Sequence, residues 1–136
     1  MTVRPQMLVF DSWAIIAYFE DGPAGLKIEE IIIDANERDI PMRMSVVNAG
    51  EVWYIVARQT SHSEADSTIA ELRSLGIHFE NPDWEATRQA AVFKSKHKMS
   101  YADAFAAALS IQKNANLVTG DNEFKQVEKE IKILWV

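Results

Sequence analysis

Apolar residues in this chain fall into short runs separated by longer stretches in which they recur every three or four positions. MLVF at 7–10, MRMSV at 42–46, IHF at 77–79, LVT at 117–119 and IKILWV at 131–136 have the length of β-strands. Between the first two runs, residues 12–19 read as one helix and Asp21-Gly22-Pro23 as a break. Residues 23–38 read as a second helix with Pro23 in its first turn, where an N–H has no intrahelical partner to lose. Ile28, Ile31, Ile32 and Ala35 form its apolar stripe, and Ile33 lies off it. The same spacing recurs in Ala49, Val52, Trp53 and Val56 over 46–59, and in Ala65, Ile69 and Leu72 over 63–75, before the helix stop Gly76. Asn81-Pro82-Asp83 opens a helix over 84–96, and Ser100 opens the alanine-rich SYADAFAAAL. Strands alternating with helices predict an α/β fold whose mostly parallel sheet, of about five strands, is covered on both faces. No linker, repeat or low-complexity tract interrupts the pattern, so residues 1–136 are expected to form a single domain.

The chain has 136 residues, 48% of them hydrophobic, which is enough to build a core without staples. It contains no cysteine, and His62, His78 and His97 lack zinc-ligand spacing, so disulfides and thiolate metal sites are excluded. Any metal must be a hard cation on oxygen ligands. The N-terminal MTVRPQMLVFD holds too short an apolar run for a signal peptide or membrane span, which makes a cytoplasmic protein without a membrane contact the expectation. A net charge of −6 argues against a nucleic-acid binder that relies on a basic surface.

The acidic residues change that picture. In an open parallel sheet, ligands bind beyond the carboxyl ends of the strands, where strand order reverses. Asp11 directly follows MLVF, and Asp121 follows LVT-Gly120. Glu51 lies on the second turn of the helix after MRMS, and Asp103 on the first turn of the helix leading to LVT. Each also has a structural use. Asp11 can cap the helix at Ser12, Glu51 can face solvent, Asp121 can serve a turn, and Ser100-x-x-Asp103 fits a capping box. Brought to one place, however, such carboxylates repel unless cations hold them, and Mg²⁺ or Mn²⁺ suits the donor set.

An Asp ending the first strand (VFDSW), Asn48-x-x-Glu51 on a helix, Ser100-x-x-Asp103 opening a late alanine-rich helix, and the turn Thr119-Gly120-Asp121-Asn122-Glu123-Phe124 together resemble the PIN-domain ribonucleases, most of all the VapC-type toxins of prokaryotic toxin–antitoxin pairs. The resemblance runs from residue 7 to the C-terminal ILWV. It implies a three-layer α/β/α fold, hydrolysis of RNA with one or two Mg²⁺ or Mn²⁺ ions, a cognate antitoxin and a homodimer. It also makes Asp11, Glu51, Asp103 and Asp121 the acidic quartet, with Asn48, Thr119 and Glu123 as supporting residues. Asp11 and Asp103 are expected to ligate metal directly, with Glu51 and Asp121 acting through water. The acidic turn Gly120–Glu123 departs from the family pattern and leaves both Asp121 and Glu123 as candidates for the last position.

Lys94, Lys96 and Lys98, the densest positive run in the chain, are candidates for guiding RNA to the acids, or else form a solvated helix end favoured by the dipole. Trp13, Tyr18, Phe19 and Ile33 are apolar in excess of a small core and are candidates for an antitoxin groove. A catalytically silent PIN-like module that only binds RNA or protein is the alternative function. An aspartyl phosphatase is disfavoured because Ser12 and Trp13 stand where the Asp-x-Asp motif would continue.

Overall fold

The computed structural model describes residues 5–136; residues 1–4 of the expected 1–136 domain lie outside the described residues. The elements run β1 (Leu8–Phe10), α1 (Ser12–Phe19), α2 (Pro23–Glu37), β2 (Met42–Ser45), α3 (Val46–Gln59), α4 (His62–Ser74), β3 (Ile77–Glu80), α5 (Trp84–Lys96), α6 (Tyr101–Gln112), β4 (Asn116–Thr119), a 3₁₀ helix over Asn122–Val127, and β5 (Lys132–Trp135). The sheet has five strands in the order β3-β2-β1-β4-β5, and every pairing is parallel. The chain therefore builds outward from β1 in one direction and then restarts on its other side with β4. That reversal places the carboxyl ends of β1 and β4 side by side.

Alternation along the strands divides the core into two layers. Leu8 and Phe10 join Met42, Met44 and Val118 against Ile15, Ile28, Val52 and Leu72 on one face. Val9 and Leu117 point the other way, onto Phe93, Ala104, Phe105, Ala107 and Ala108. The alanines of α6 let its backbone approach the sheet closely, so this helix is buried nearly all round. The result is the parallel sheet covered on both faces that the alternation predicts, in the three-layer α/β/α arrangement that the resemblance implies.

Boundaries shift where caps and pairing decide them. Val46 belongs to α3 rather than to a strand, because the Ser45 hydroxyl accepts from the Val47 N–H at 3.2 Å and starts the helix there. Register with β2 carries β3 on to Glu80, opposite Ser45. Gly76, at φ +96°, ends α4 as expected, with its N–H on the Arg73 carbonyl at 3.0 Å. After β4 the chain winds into the 3₁₀ helix, burying Phe124 and Val127, where the sequence pattern suggested only a turn.

Candidate active site

Asp11 stands where β1 ends and α1 begins, and it is fully buried. One carboxylate oxygen caps α1 by accepting from the Ala14 N–H at 2.8 Å; the other accepts from the Thr119 hydroxyl at 2.5 Å. Thr119 Oγ1 in turn accepts from the Asp121 N–H at 3.0 Å, which fixes the hydroxyl proton toward Asp11. This short chain of hydrogen bonds crosses from β1 to β4 at the point where strand order reverses. Burial pushes the Asp11 carboxyl up to about 7; the Thr119 and Ala14 hydrogen bonds oppose the shift, and the charges of Asp103 and Asp121 add to it.

At α6 the division of labour differs. The Ser100 hydroxyl is the cap, accepting from the Asp103 N–H at 3.1 Å. The Asp103 carboxylate makes no hydrogen bond to the backbone of the first turn among the described residues, so the reciprocal half of the capping box is not formed. Burial raises its carboxyl to about 6; Asp121 adds to the shift, the Ser100 hydroxyl opposes it, and Glu51 and Glu123 raise it further. Electrostatically, then, Asp11, Glu51, Asp103 and Asp121 share one neighbourhood.

Asn48 ties together the segments that carry three of these acids. Its side-chain amide donates to the Ala102 carbonyl at 3.0 Å and to Ser12 Oγ at 3.4 Å, while Ser12 Oγ donates back to the Asn48 carbonyl at 3.4 Å. Ser12 adjoins Asp11, Ala102 adjoins Asp103, and Glu51 follows one turn later on α3. The amide oxygen of Asn48 is buried and has no partner among the described residues.

Glu51, Asp103 and Asp121 line one wall of an open cleft of about 440 Å³ together with Ser12 and Ser100. Trp13, Ile16, Ala17 and Ile55 give the same cleft an apolar lining, Ile55 one turn on from Glu51 along α3, and Glu20 lies at the far end of α1. Asp11, fully buried, is not among the residues that line the cleft. Glu51 accepts from the Tyr54 hydroxyl at 3.5 Å. Asp121 also serves its turn, accepting from the Glu123 N–H at 3.0 Å, whereas Glu123 itself is exposed on the 3₁₀ helix. The donor set is all oxygen and fits a hard divalent cation. Among the described residues no three acidic side chains converge closely enough to grip one ion as they stand, and their like charges oppose closer approach without a cation.

A PIN domain profile matches residues 8–130. The chain belongs to the PIN domain family. Solved structures share the fold of this PIN domain. A DNA-bound VapBC from Salmonella typhimurium is 16% identical with a TM-score of 0.76, covering 94% of this chain and 96% of that one. VapBC2 from Rickettsia felis, bound to a promoter DNA fragment, is 14% identical with a TM-score of 0.75 and covers 96% and 98%. Mycobacterium tuberculosis VapC20, a sarcin-ricin loop cleaving toxin, is 19% identical with a TM-score of 0.71 and covers 88% and 94%. No curated protein matches the chain closely enough in sequence to count as a relative.

The lysine run lies at the corner between α5 and α6, just before the Ser100 cap. Lys94, exposed like Lys96 and Lys98, donates to the Met99 carbonyl at 2.7 Å. The Lys98 backbone is clamped by the Gln126 side chain, which accepts from its N–H at 3.1 Å and donates to its carbonyl at 2.9 Å. Trp13, a candidate for the antitoxin groove on the sequence, lines the acid cleft instead, together with Ile16, Ala17 and Ile55, which no sequence signal marks. No helix among the described residues is long and apolar enough to cross a membrane.

Proposed function

We propose that this chain, as a single PIN domain over 1–136, is a divalent-metal-dependent endoribonuclease and the toxin of a cytoplasmic toxin–antitoxin pair. The observation that carries this reading is the gathering of Asp11, Glu51, Asp103 and Asp121 from four segments at the reversal point of a PIN fold. Asp11 and Asp103 are the direct ligands in this reading. Glu51 and Asp121 act through water, and Asp121 takes precedence over Glu123 because it lines the cleft. One or two Mg²⁺ or Mn²⁺ ions bound there supply an activated water at neutral pH and offset charge on the scissile phosphate. Thr119, oriented by the Asp121 N–H, holds the Asp11 carboxylate in place from β4. Asn48 holds the starts of α1, α3 and α6 in register, and the Glu51 carboxylate, which also accepts from the Tyr54 hydroxyl, orients the attacking water. Lys96 and Lys98 draw RNA toward the acids, with Lys94 shaping their corner.

The antitoxin groove is proposed on the outer faces of α1 and α2, where Phe19, Leu26 and Ile33 are exposed and Ile33 is 50% accessible. The family resemblance supports a homodimer. The alternative of a catalytically silent binding module draws on the separation of the acids. The deciding experiment is cleavage of bulk RNA by the purified protein with Mg²⁺ or Mn²⁺. Cleavage should stop with EDTA and fall at least ~100-fold in Asp103→Asn, since even the partners of metal ligands cost ~10- to 100-fold. Circular dichroism should be unchanged. Equal cleavage by the folded variant would remove Asp103 from the site, and no cleavage by the wild type would favour the silent module.

A further inference from the structure

The apolar wall of the cleft has no role in holding a metal, and its composition specifies what else enters. Trp13, Ile16, Ala17 and Glu20 follow one another at i, i+3, i+4 and i+7 along α1, so a single helix face runs from the acids outward. Trp13 lies at the acid end and is 36% exposed. Its indole is not loose. A Cβ placed on Gly120 would fall 2.3 Å from Cη2, 2.5 Å from Cζ3 and 2.8 Å from Cζ2 of the ring, so the benzo end rests directly against the backbone between Thr119 and Asp121. A glycine is required there for that contact to exist. The turn that supplies Asp121 thus also fixes Trp13, and α1, which the Asp11 carboxylate caps, fixes it from the other side. The aromatic surface is therefore pre-positioned beside the acids, with little rotamer freedom left to lose on binding.

We propose that Trp13 is a base-stacking residue of the substrate site: the unpaired nucleobase next to the scissile phosphate lies on its indole, against Ile16, Ala17 and Ile55. This deepens the ribonuclease reading and rests on it. The occupant along α1 is the uncharged base and not the backbone, because Glu20 at the far end repels phosphate while Ile16, Ala17 and Ile55 offer it no donor. The substrate class is RNA with a splayed-out nucleotide, in a single strand or a loop, because a stacked and paired base cannot present its face to the wall. Base–aromatic stacking tolerates different bases, so Trp13 sets the position of the cut more than its sequence.

The test uses the full chain and the shortest RNA cut at a site mapped in bulk RNA. Nucleotides flanking the cut are replaced one at a time by an abasic ribose. One flanking position should lower kcat/KM by roughly 5- to 100-fold in the wild type, the range expected for one lost stack. In Trp13→Leu the intact RNA should already be cut at that reduced rate, and the abasic replacement should cost nothing more. Trp13→Phe should restore most of the loss, and Mn²⁺ affinity by calorimetry should match the wild type in both variants. If Trp13→Leu and the abasic site multiply, or Trp13→Leu cuts like the wild type, the stacking role is overturned while the ribonuclease reading stands. Wild-type protein that cuts no RNA overturns both. If Trp13→Leu loses only co-purification with the adjacent reading frame's product and keeps full cleavage, the wall belongs to a protein partner and the proposal falls.

Discussion

The N-termini of α1 and α6 meet at one end of the sheet, joined through Asn48, and they satisfy their free N–H groups with different residues. At α1 the carboxylate of Asp11 is itself the cap, and both its oxygens are engaged. At α6 a neutral hydroxyl, Ser100, is the cap, and the Asp103 carboxylate has no backbone duty. An acid that caps a helix explains itself, whereas a partly buried acid among three others, at a helix end already capped, needs another reason to be there. Each arrangement costs the metal-free fold something, because both carboxyls are pushed up toward neutral pH. In the proposed reading, capping and metal binding share one carboxylate at α1 and are divided between two residues at α6. The effects of substitution should separate accordingly.

The largest separation is expected at Asp11. Its folded-state carboxyl titrates at about 7 against an ordinary 3.8, so between those values the folded protein binds the extra proton. Stability without metal is therefore greatest at the acid end of that window and falls as pH rises through it. Melting in EDTA should drop by several degrees from pH 5 to pH 8. Asp11→Asn keeps a side chain able to cap and removes the buried charge, so the drop should shrink and the variant should melt above the wild type at pH 8. Its RNA cleavage should nevertheless be lost. Mn²⁺ should raise the wild-type melting temperature at pH 8 by mass action and leave the variant where it is. A wild-type melting temperature that is flat from pH 5 to pH 8 would refute the cost assigned to Asp11.

At α6 the same logic predicts the reverse. Ser100→Ala removes the cap and should destabilise by ~1 kcal/mol, with Mn²⁺ affinity close to wild type. Asp103→Ala should leave melting in EDTA unchanged or slightly raised while abolishing Mn²⁺ binding. Calorimetry and thermal melts on the two variants check both halves. A Ser100→Ala protein that melts normally but binds no metal would merge the two roles the comparison separates.

How much of this was legible in the sequence depends on the range of the interaction. Local periodicity and breakers placed the strands and helices, because burial on both sheet faces leaves a continuous apolar run and a stop such as Gly76 marks a left-handed residue. The gathering of acids was legible as order along the chain, since parallel topology puts every strand's carboxyl end at one edge. What stayed hidden depended on contacts between distant residues. The Thr119 bond to Asp11 joins residues 108 apart, and nothing near Asp11 announces it. Trp13 looked like surplus apolar surface because its seat, Gly120, lies on another strand end. The 3₁₀ helix was missed because Gly120-Asp121-Asn122 is turn chemistry, and tertiary burial of Phe124 and Val127 winds it further.

The smallest expected effect concerns a last difference between the two ends: α6 is preceded by the lysine corner and α1 is not. Phosphate contacts release counterions, and each one contributes ~0.7 to the slope of log affinity against log salt for a single strand. Counting the run as a block would assign a contact to each of Lys94, Lys96 and Lys98. Lys94, however, is bonded to the Met99 carbonyl at 2.7 Å, and drawing it out to a phosphate would forfeit that bond. Lys96 and Lys98 should therefore carry the effect. Lys96→Gln with Lys98→Gln, in the Asp103→Asn background that prevents cleavage, should flatten the slope by ~1.4. Adding Lys94→Gln should lower the melting temperature of the protein slightly but leave the slope nearly as it was. A salt titration of RNA affinity across this series, with melts alongside, reads both quantities. A further slope change of similar size on removing Lys94 would show that its ammonium leaves Met99 for RNA. No change in slope for any variant would make the lysines a solvated helix end, and the cleft itself, through the proposed cations and the Trp13 surface, would have to hold RNA against the chain's negative charge.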